Sequence, residues 1–405
     1  VSKSTLNLAL GRILRQQQVL ILHGPAFVGK RILAEQIGKE VRKKVLPLDL
    51  SKSNDRRRII HPDLFFSSHN KELIFIESID RMPSILEDVR RYCLKFKNHP
   101  RFILSTDFQF QVIFKYFHLP KKTFIQEVFP ASLLSIRSTK STAIWQHWLK
   151  GGFPGFLSAP SNRVLSNRAE RLLDNLVSND SFPIVGHQLD RNKIRTCLEL
   201  IAQLNGNILN FQVLARAMGV TGPTVLRYIR FLEASFMIRL LPALAADDKK
   251  RLSKAPKIFI RDSGILHHLL GVQSLRSLSK STCQAASWEG YVIEEIAKIL
   301  PQKYQLHYYR TQHAAEVQLI ISKNGKKAGS SPRPFIAILL QTGQHAVVGR
   351  ALKNCFESLA TRKNYLVQVT NNDDFPSESR DQGLKSINCT PISLAELLKM
   401  LSSLR

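Results

Sequence analysis

Residues 23–33 read HGPAFVGKRIL. Gly24, Gly29 and Lys30 stand at the spacing G-x-x-x-x-G-K, in which backbone N–H groups turn inward around phosphate oxygens and a lysine neutralises their charge. The next residue, a Ser or Thr where Mg²⁺ is to be held, is Arg31 here. The flanks decide what the spacing means. QVLILHG before it is a β-branched and leucine-rich run of strand length, and KRILAEQIGKEVRKK after it has helical spacing. Further strands are expected at VLPLDL, ELIFIES and RFILSTD, with a helix at SILEDVRRYCLKF. This alternation predicts an α/β domain: a three-layer parallel sheet with ligands at the carboxyl ends of its strands.

An Mg²⁺-dependent hydrolase needs an acidic strand end beside such a loop, with Asp in the metal shell followed by Glu to activate water. LIFIESIDRMP supplies Glu77, one methylene longer than the first, then Ser78, which has no useful basicity, and Asp80 one turn on. Glu77 and Asp80 are therefore the degenerate catalytic candidates. Gly24, Gly29, Lys30 and Arg31 form the nucleotide-binding set. ATP or ADP is expected to bind weakly and with little help from Mg²⁺, because a guanidinium at 31 repels that ion.

A length of 405 residues suggests two to four domains, and 44% hydrophobic with 22% charged residues is an ordinary globular composition. No apolar run approaches the ~18 residues of a membrane span. The N-terminal stretch is amphipathic without a signal-peptide core, and the five cysteines are isolated. These features point to a cytoplasmic protein without zinc, disulfides or membrane insertion. The charge is unusual: 59 Lys and Arg against 31 Asp and Glu, a net +28. The excess lies in small clusters along the chain, which favours a folded basic surface and a polyanionic partner: DNA, RNA or a ribonucleoprotein particle. Lys249, Lys250 and Arg251 form one cluster. Lys326, Lys327 and Arg333 lie in KNGKKAGSSPRP, whose Gly, Ser and Pro content marks a loop between two strands.

The ordered motifs resemble a prokaryotic AAA+-type family that joins a P-loop ATPase domain, a winged helix and a C-terminal restriction-endonuclease-like domain. GPAFVGKR stands against that family's G-P-R-Q-V-G-K-T, ESIDRMP against D-E-I-Q-R-V-P, and FILSTDFQF against F-I-L-T-G-S-S-Q-F, while GGFP is intact at 151–154. Farther on, NILNFQVLARAMGVTGPTVLRYIRFLEASFMIRLL reads as helix, turn, helix and wing strand, with Gly219 suited to a left-handed turn and Pro223 to a first helical turn. Arg227 and Arg230 share one face of the second helix and are candidate phosphate contacts. Lys254, Pro256, Lys257, Asp262 and Gly264 match the family's K-x-P-K-x-Y-x-x-D-x-G run. His267 and His268, adjacent on a presumed helix, point different ways, a poor geometry for a metal.

The resemblance implies a nuclease centre built from a helix Glu, a strand Asp and a Glu-x-Lys strand around a metal. WEGYVIEEI keeps Glu289 and Glu294, and AEVQLII keeps Glu316. Gln318, however, stands for the Asp, and Leu339 and Gln341 replace the Glu and the Lys. Glu289 and Glu316 are thus remnants of a catalytic set. The resemblance implies a P-loop domain over 1–140, a helical segment over 141–205, a winged helix and connector over 206–280 and the nuclease-like domain over 281–405. Charge lost at two separate chemistries, with scaffold patterns kept, points to a pseudoenzyme that binds nucleic acid or a nucleoprotein. The competing classes are a slow active ATPase and a structural subunit of a protein assembly.

Overall fold

The computed structural model describes residues 3–96, 101–110, 117–136, 141–178, 189–244, 255–311, 315–323, 332–342, 350–369 and 382–404. After an N-terminal helix α1 (Lys3–Gln16), the first region alternates β1 (Val19–His23), α2 (Lys30–Glu40), β2 (Val45–Asp49), α3 (Ser53–Arg58), α4 (Pro62–Ser68), β3 (Leu73–Glu77), α5 (Ile85–Lys95), β4 (Arg101–Thr106) and β5 (Thr123–Glu127). Its five strands form one sheet in the order β2-β3-β4-β1-β5, every neighbouring pair parallel. The runs of β1, β3 and β4, central in the sheet, are apolar on both faces because both faces are covered. Val19, Ile21, Ile74, Ile76, Phe102 and Leu104 enter one apolar cluster, whereas Leu20, Leu22, Leu73, Phe75 and Ile103 enter another beneath α2.

A helical region follows: α6 (Ser141–Lys150), α7 (Pro154–Leu157), α8 (Asn162–Ser178), α9 (Arg191–Gln203), α10 (Phe211–Met218) and α11 (Gly222–Ala234). Asn210 caps α10 by accepting from the N–H groups of Gln212 and Val213, and Gly219 ends it at a left-handed φ of 61°. Then come β6 (Ile238–Leu241) and β7 (Lys257–Ile260), an antiparallel ribbon that Ile208 joins through a single bridge to Lys257. Helices α12 (Ser263–Leu269) and α13 (Leu275–Lys280) lead to the last region.

That region comprises α14 (Gln284–Ala297), β8 (Tyr304–Arg310), β9 (Glu316–Lys323), β10 (Arg333–Thr342), α15 (Arg350–Leu359), β11 (Lys363–Val369), α16 (Gln382–Ser386), β12 (Cys389–Pro391) and α17 (Leu394–Ser402). Its five-stranded sheet is mixed, in the order β12-β11-β10-β9-β8, antiparallel between β8, β9 and β10 and parallel from β10 to β12. Alternate residues again divide between two cores. Leu319, Ile321 and Ile338 meet α14 and α17, and Ile320, Ala337 and Leu339 meet α15. The protein is therefore α/β, with a parallel sheet first and a separate mixed sheet last. Among the described residues no helix is long and apolar enough to cross a membrane.

Candidate nucleotide site and acidic centre

The 24–29 loop leaves the carboxyl end of β1 and opens α2, with β4 and β5 on either side of β1. Gly24 passes so close to the next strand exit that a Cβ there would lie 2.2 Å from the Val128 carbonyl oxygen. Gly29 turns at φ 99°, a conformation open to glycine at no cost. Lys30 is buried, and its ammonium donates to the Gly24 and Pro25 carbonyls at 2.7 and 2.8 Å. Its third partner is the Asp107 carboxylate at 2.7 Å. Asp107 follows β4, where the resembling pattern has a Ser, and it holds the ammonium that a phosphate would use.

Arg31 is half exposed and stretches across to Glu77, Nη1 to Oε1 3.4 Å, while its Nε lies 3.6 Å from Glu35. Burial raises the Glu77 carboxyl above its ordinary range, and the Arg31 charge opposes that rise. Ser78 donates to Asp49 at 3.2 Å. Asp80 does not turn to the loop: it is buried, accepts from the Thr106 hydroxyl at 2.8 Å and lies 4.0 Å from Arg81. The residues present do not fit Mg²⁺. There is no hydroxyl at 31, and a guanidinium already faces Glu77, the carboxylate at the β3 end. Beside the loop, Phe27, Phe153, Phe156, Leu172, Arg168 and Arg171 line a cleft of about 190 Å³. This is below the ~300 Å³ of pockets that enclose a whole small ligand, and suits one flat ring.

The short segment after β4 ties the loop to the helical region. Gln109 donates from its backbone to the Ala234 carbonyl (2.7 Å) and from its side chain to the Glu233 carbonyl (2.9 Å), at the end of α11. Phe108 packs against Phe231 of the same helix. The Phe110 N–H donates to His23, whose burial lowers its pKa to about 4. The other face of α11 is open, and Arg227 and Arg230 are both exposed on it. Arg333, the first residue of β10, is exposed as well. Lys249, Lys250, Arg251, Lys326 and Lys327 lie outside the described residues.

In the C-terminal region Glu289 of α14 and Glu316 of β9 come together around the ammonium of Lys257, 2.7 Å from Glu289 and in direct contact with Glu316. Burial raises the Glu289 carboxyl to about 7 against the pull of Lys257. Gln318 spends its amide oxygen on the Leu340 N–H at 3.2 Å. Leu339 is 1% exposed within the apolar core under α15, and the Gln341 amide oxygen is buried without a hydrogen-bond partner among the described residues. Glu294 faces elsewhere, held by Arg239 and Arg261, and Arg261 continues to Glu127 at the end of β5 (2.8 Å). Asp262 accepts from the N–H groups of Gly152 (2.8 Å), Gly264 (2.9 Å) and Ile265 (3.1 Å). The GGFP and D-x-G motifs are thus two halves of one buried joint. His267 bonds the Leu149 carbonyl and Ser287, and His268 bonds Glu170. Among the described residues no group of three or more His, Cys, Asp or Glu is arranged to hold a metal.

A Domain of unknown function (DUF8612) matches residues 141–276. Uncharacterized proteins of Mycobacterium bovis and Mycobacterium tuberculosis are each 28% identical over 322 residues, covering 79% of this chain and 71% of theirs. Among solved structures, the Thermotoga maritima RuvB Holliday junction branch migration motor is 15% identical over 59% of this chain and 88% of its own, at a TM-score of 0.30. A Walker-type ATPase of Pyrococcus abyssi is 11% identical over 66% of this chain and 95% of its own, at a TM-score of 0.41. The strand order, not these scores, fixes the fold class.

Proposed function

We propose that this chain is an ATPase-fold pseudoenzyme that holds an adenine nucleotide with little need of Mg²⁺, does not turn it over efficiently, and serves as a basic nucleic-acid- or nucleoprotein-binding scaffold. The observation that carries the reading is the Arg31–Glu77 pair. It sets a fixed organic cation between the phosphate loop and the acidic strand end, where a hydrolase needs hydroxyl, metal and carboxylate in series. Lys30 and the loop amides remain to grip phosphates, and the phenylalanine-lined cleft beside Phe27 suits the base. Calorimetry with ADP and ATP, with Mg²⁺ and with EDTA, tests this. Nearly equal weak affinities are expected in both buffers. Arg31→Thr should introduce Mg²⁺ dependence without restoring hydrolysis, since Ser78 still offers no base. Tight Mg²⁺-dependent ATP binding, or phosphate release abolished by Lys30→Ala, would overturn the reading.

The scaffold role is supported by the net +28 and by the exposed Arg227 and Arg230. In this reading α9 to α11 with the β6–β7 ribbon make a winged helix, fixed at one end to the ATPase sheet through Gln109. The mixed C-terminal sheet is a restriction-endonuclease-like fold. Phosphate contacts release counterions, so log affinity should fall by roughly 0.9 per contact per log unit of salt on duplex DNA. Fluorescence anisotropy over a salt series should give binding at low salt with weak sequence preference. Lys326→Ala, Lys327→Ala and Arg333→Ala together should lower the slope by about two to three units. A flat salt response would favour a protein-assembly role instead.

A further inference from the structure

Lys257 is the first residue of β7, outside the C-terminal sheet, yet its side chain ends between two carboxylates that belong to that region. Glu289 comes from α14 and Glu316 from the start of β9. The ammonium is buried, with the rings of Phe259 and Tyr308 at 6.0 and 5.7 Å. Arg310 stands farther out, 3.9 Å from the second oxygen of Glu316. Two carboxylates brought this close repel each other and cannot both ionise away from water without a cation between them. A divalent ion held by oxygen ligands is one solution. This chain uses another.

We propose that Lys257 is the resident cation of this acidic centre: a tethered ammonium stands in for a divalent metal, closes the centre to Mg²⁺ and Mn²⁺, and fastens the β6–β7 ribbon to the C-terminal sheet. The loss of charge at 318, 339 and 341 accounts for missing chemistry. It does not account for the survival of Glu289 and Glu316, which the salt bridge explains. A mobile metal can leave; a lysine on a strand cannot. The proposal goes beyond the nucleotide and nucleic-acid readings and stands whether or not either holds.

The test uses the full chain. Mn²⁺ uptake is followed by the electron paramagnetic resonance signal of free Mn²⁺, alongside thermal unfolding. The parent should take up no Mn²⁺ that Glu289→Gln removes. Lys257→Met should gain a site at least tenfold tighter than anything in the parent, and adding Glu316→Gln should abolish it. If Lys257→Met folds and gains no Mn²⁺ site, or if the parent binds Mn²⁺ through Glu289, the proposal is overturned. Should Lys257→Met fail to fold, the triple variant with Glu289→Gln and Glu316→Gln should recover most of the lost melting temperature. A triple variant as unstable as the single one would equally overturn it. DNA cleavage by the parent would sink the inert-nuclease reading, a separate outcome from metal uptake.

Discussion

Replacing Glu294 by Gln removes the carboxylate that is hydrogen-bonded to both Arg239 and Arg261. The side chain is 5% exposed, and burial alone would raise its pKa. The two guanidiniums outweigh burial and hold it at about 2, from an ordinary value of 4.5. A depressed carboxylate contributes stability that is fully present above 4.5 and is lost as pH falls through the folded value. The fall from 4.5 to about 2, at about 1.4 kcal/mol per pH unit, is worth on the order of 3 kcal/mol at neutral pH. Breaking a buried pair typically costs about 3–5 kcal/mol, and the lower end applies because Arg261 keeps Glu127. The three tryptophans, Trp145, Trp148 and Trp288, all lie in the apolar cluster to which α14 belongs, so indole emission reports this region. In urea, which does not screen charge, Glu294→Gln should unfold about 3 kcal/mol more easily at pH 7. That difference should shrink as pH falls from 4.5 towards 2. A gap below about 1 kcal/mol at pH 7, or one that does not change with pH, would refute the reasoning.

Two further outcomes are expected. Asp107→Asn frees Lys30 from a partly exposed ion pair worth on the order of 1 kcal/mol, so ADP should bind about five-fold more tightly by calorimetry; unchanged affinity would show that Asp107 does not compete with phosphate. Supercoiled and linear DNA and RNA should survive incubation with Mg²⁺ or Mn²⁺ as seen on gels, whereas cutting lost in a Glu289→Ala, Glu316→Ala double variant would contradict the inert acidic centre.

The first sheet was legible where its strands are buried on both sides. VLILH and LIFIE are apolar runs because each faces two cores, and their order with the helices between them dictates parallel pairing. TFIQE, the fifth strand, is half-buried throughout and has no such run, so the sequence gives little sign of it. Helix geometry alone separates His267 from His268, and they bond opposite neighbours. The site's ion pairs were not legible. Asp107 meets Lys30 across 77 positions, and Lys257 meets Glu289 and Glu316 across 32 and 59. No periodicity connects residues that only the topology brings together. Arg31 is readable as a missing hydroxyl, but its reach to Glu77 depends on how the fold sets the loop beside the end of β3.

The two junctions of this molecule differ in kind. Where β4 leaves the first sheet and meets α11, the contacts are neutral: Phe108 on Phe231, and an amide of Gln109 on main-chain carbonyls. Where the β6–β7 ribbon and its exit meet α14, charged groups are sealed inside: Lys257 with Glu289, and Arg239 and Arg261 with Glu294. The first junction nevertheless carries a proton-sensitive group: the His23 ring, which accepts from the Phe110 N–H, has its pKa lowered to about 4, so its contribution is lost as pH falls from 6.5 through 4. Glu294 in the second junction keeps its charge until pH falls towards 2, so moderate acid should loosen the first junction while the second still holds, and heat at neutral pH has no such preference. Limited proteolysis under the two treatments would then cut the same chain into different pieces.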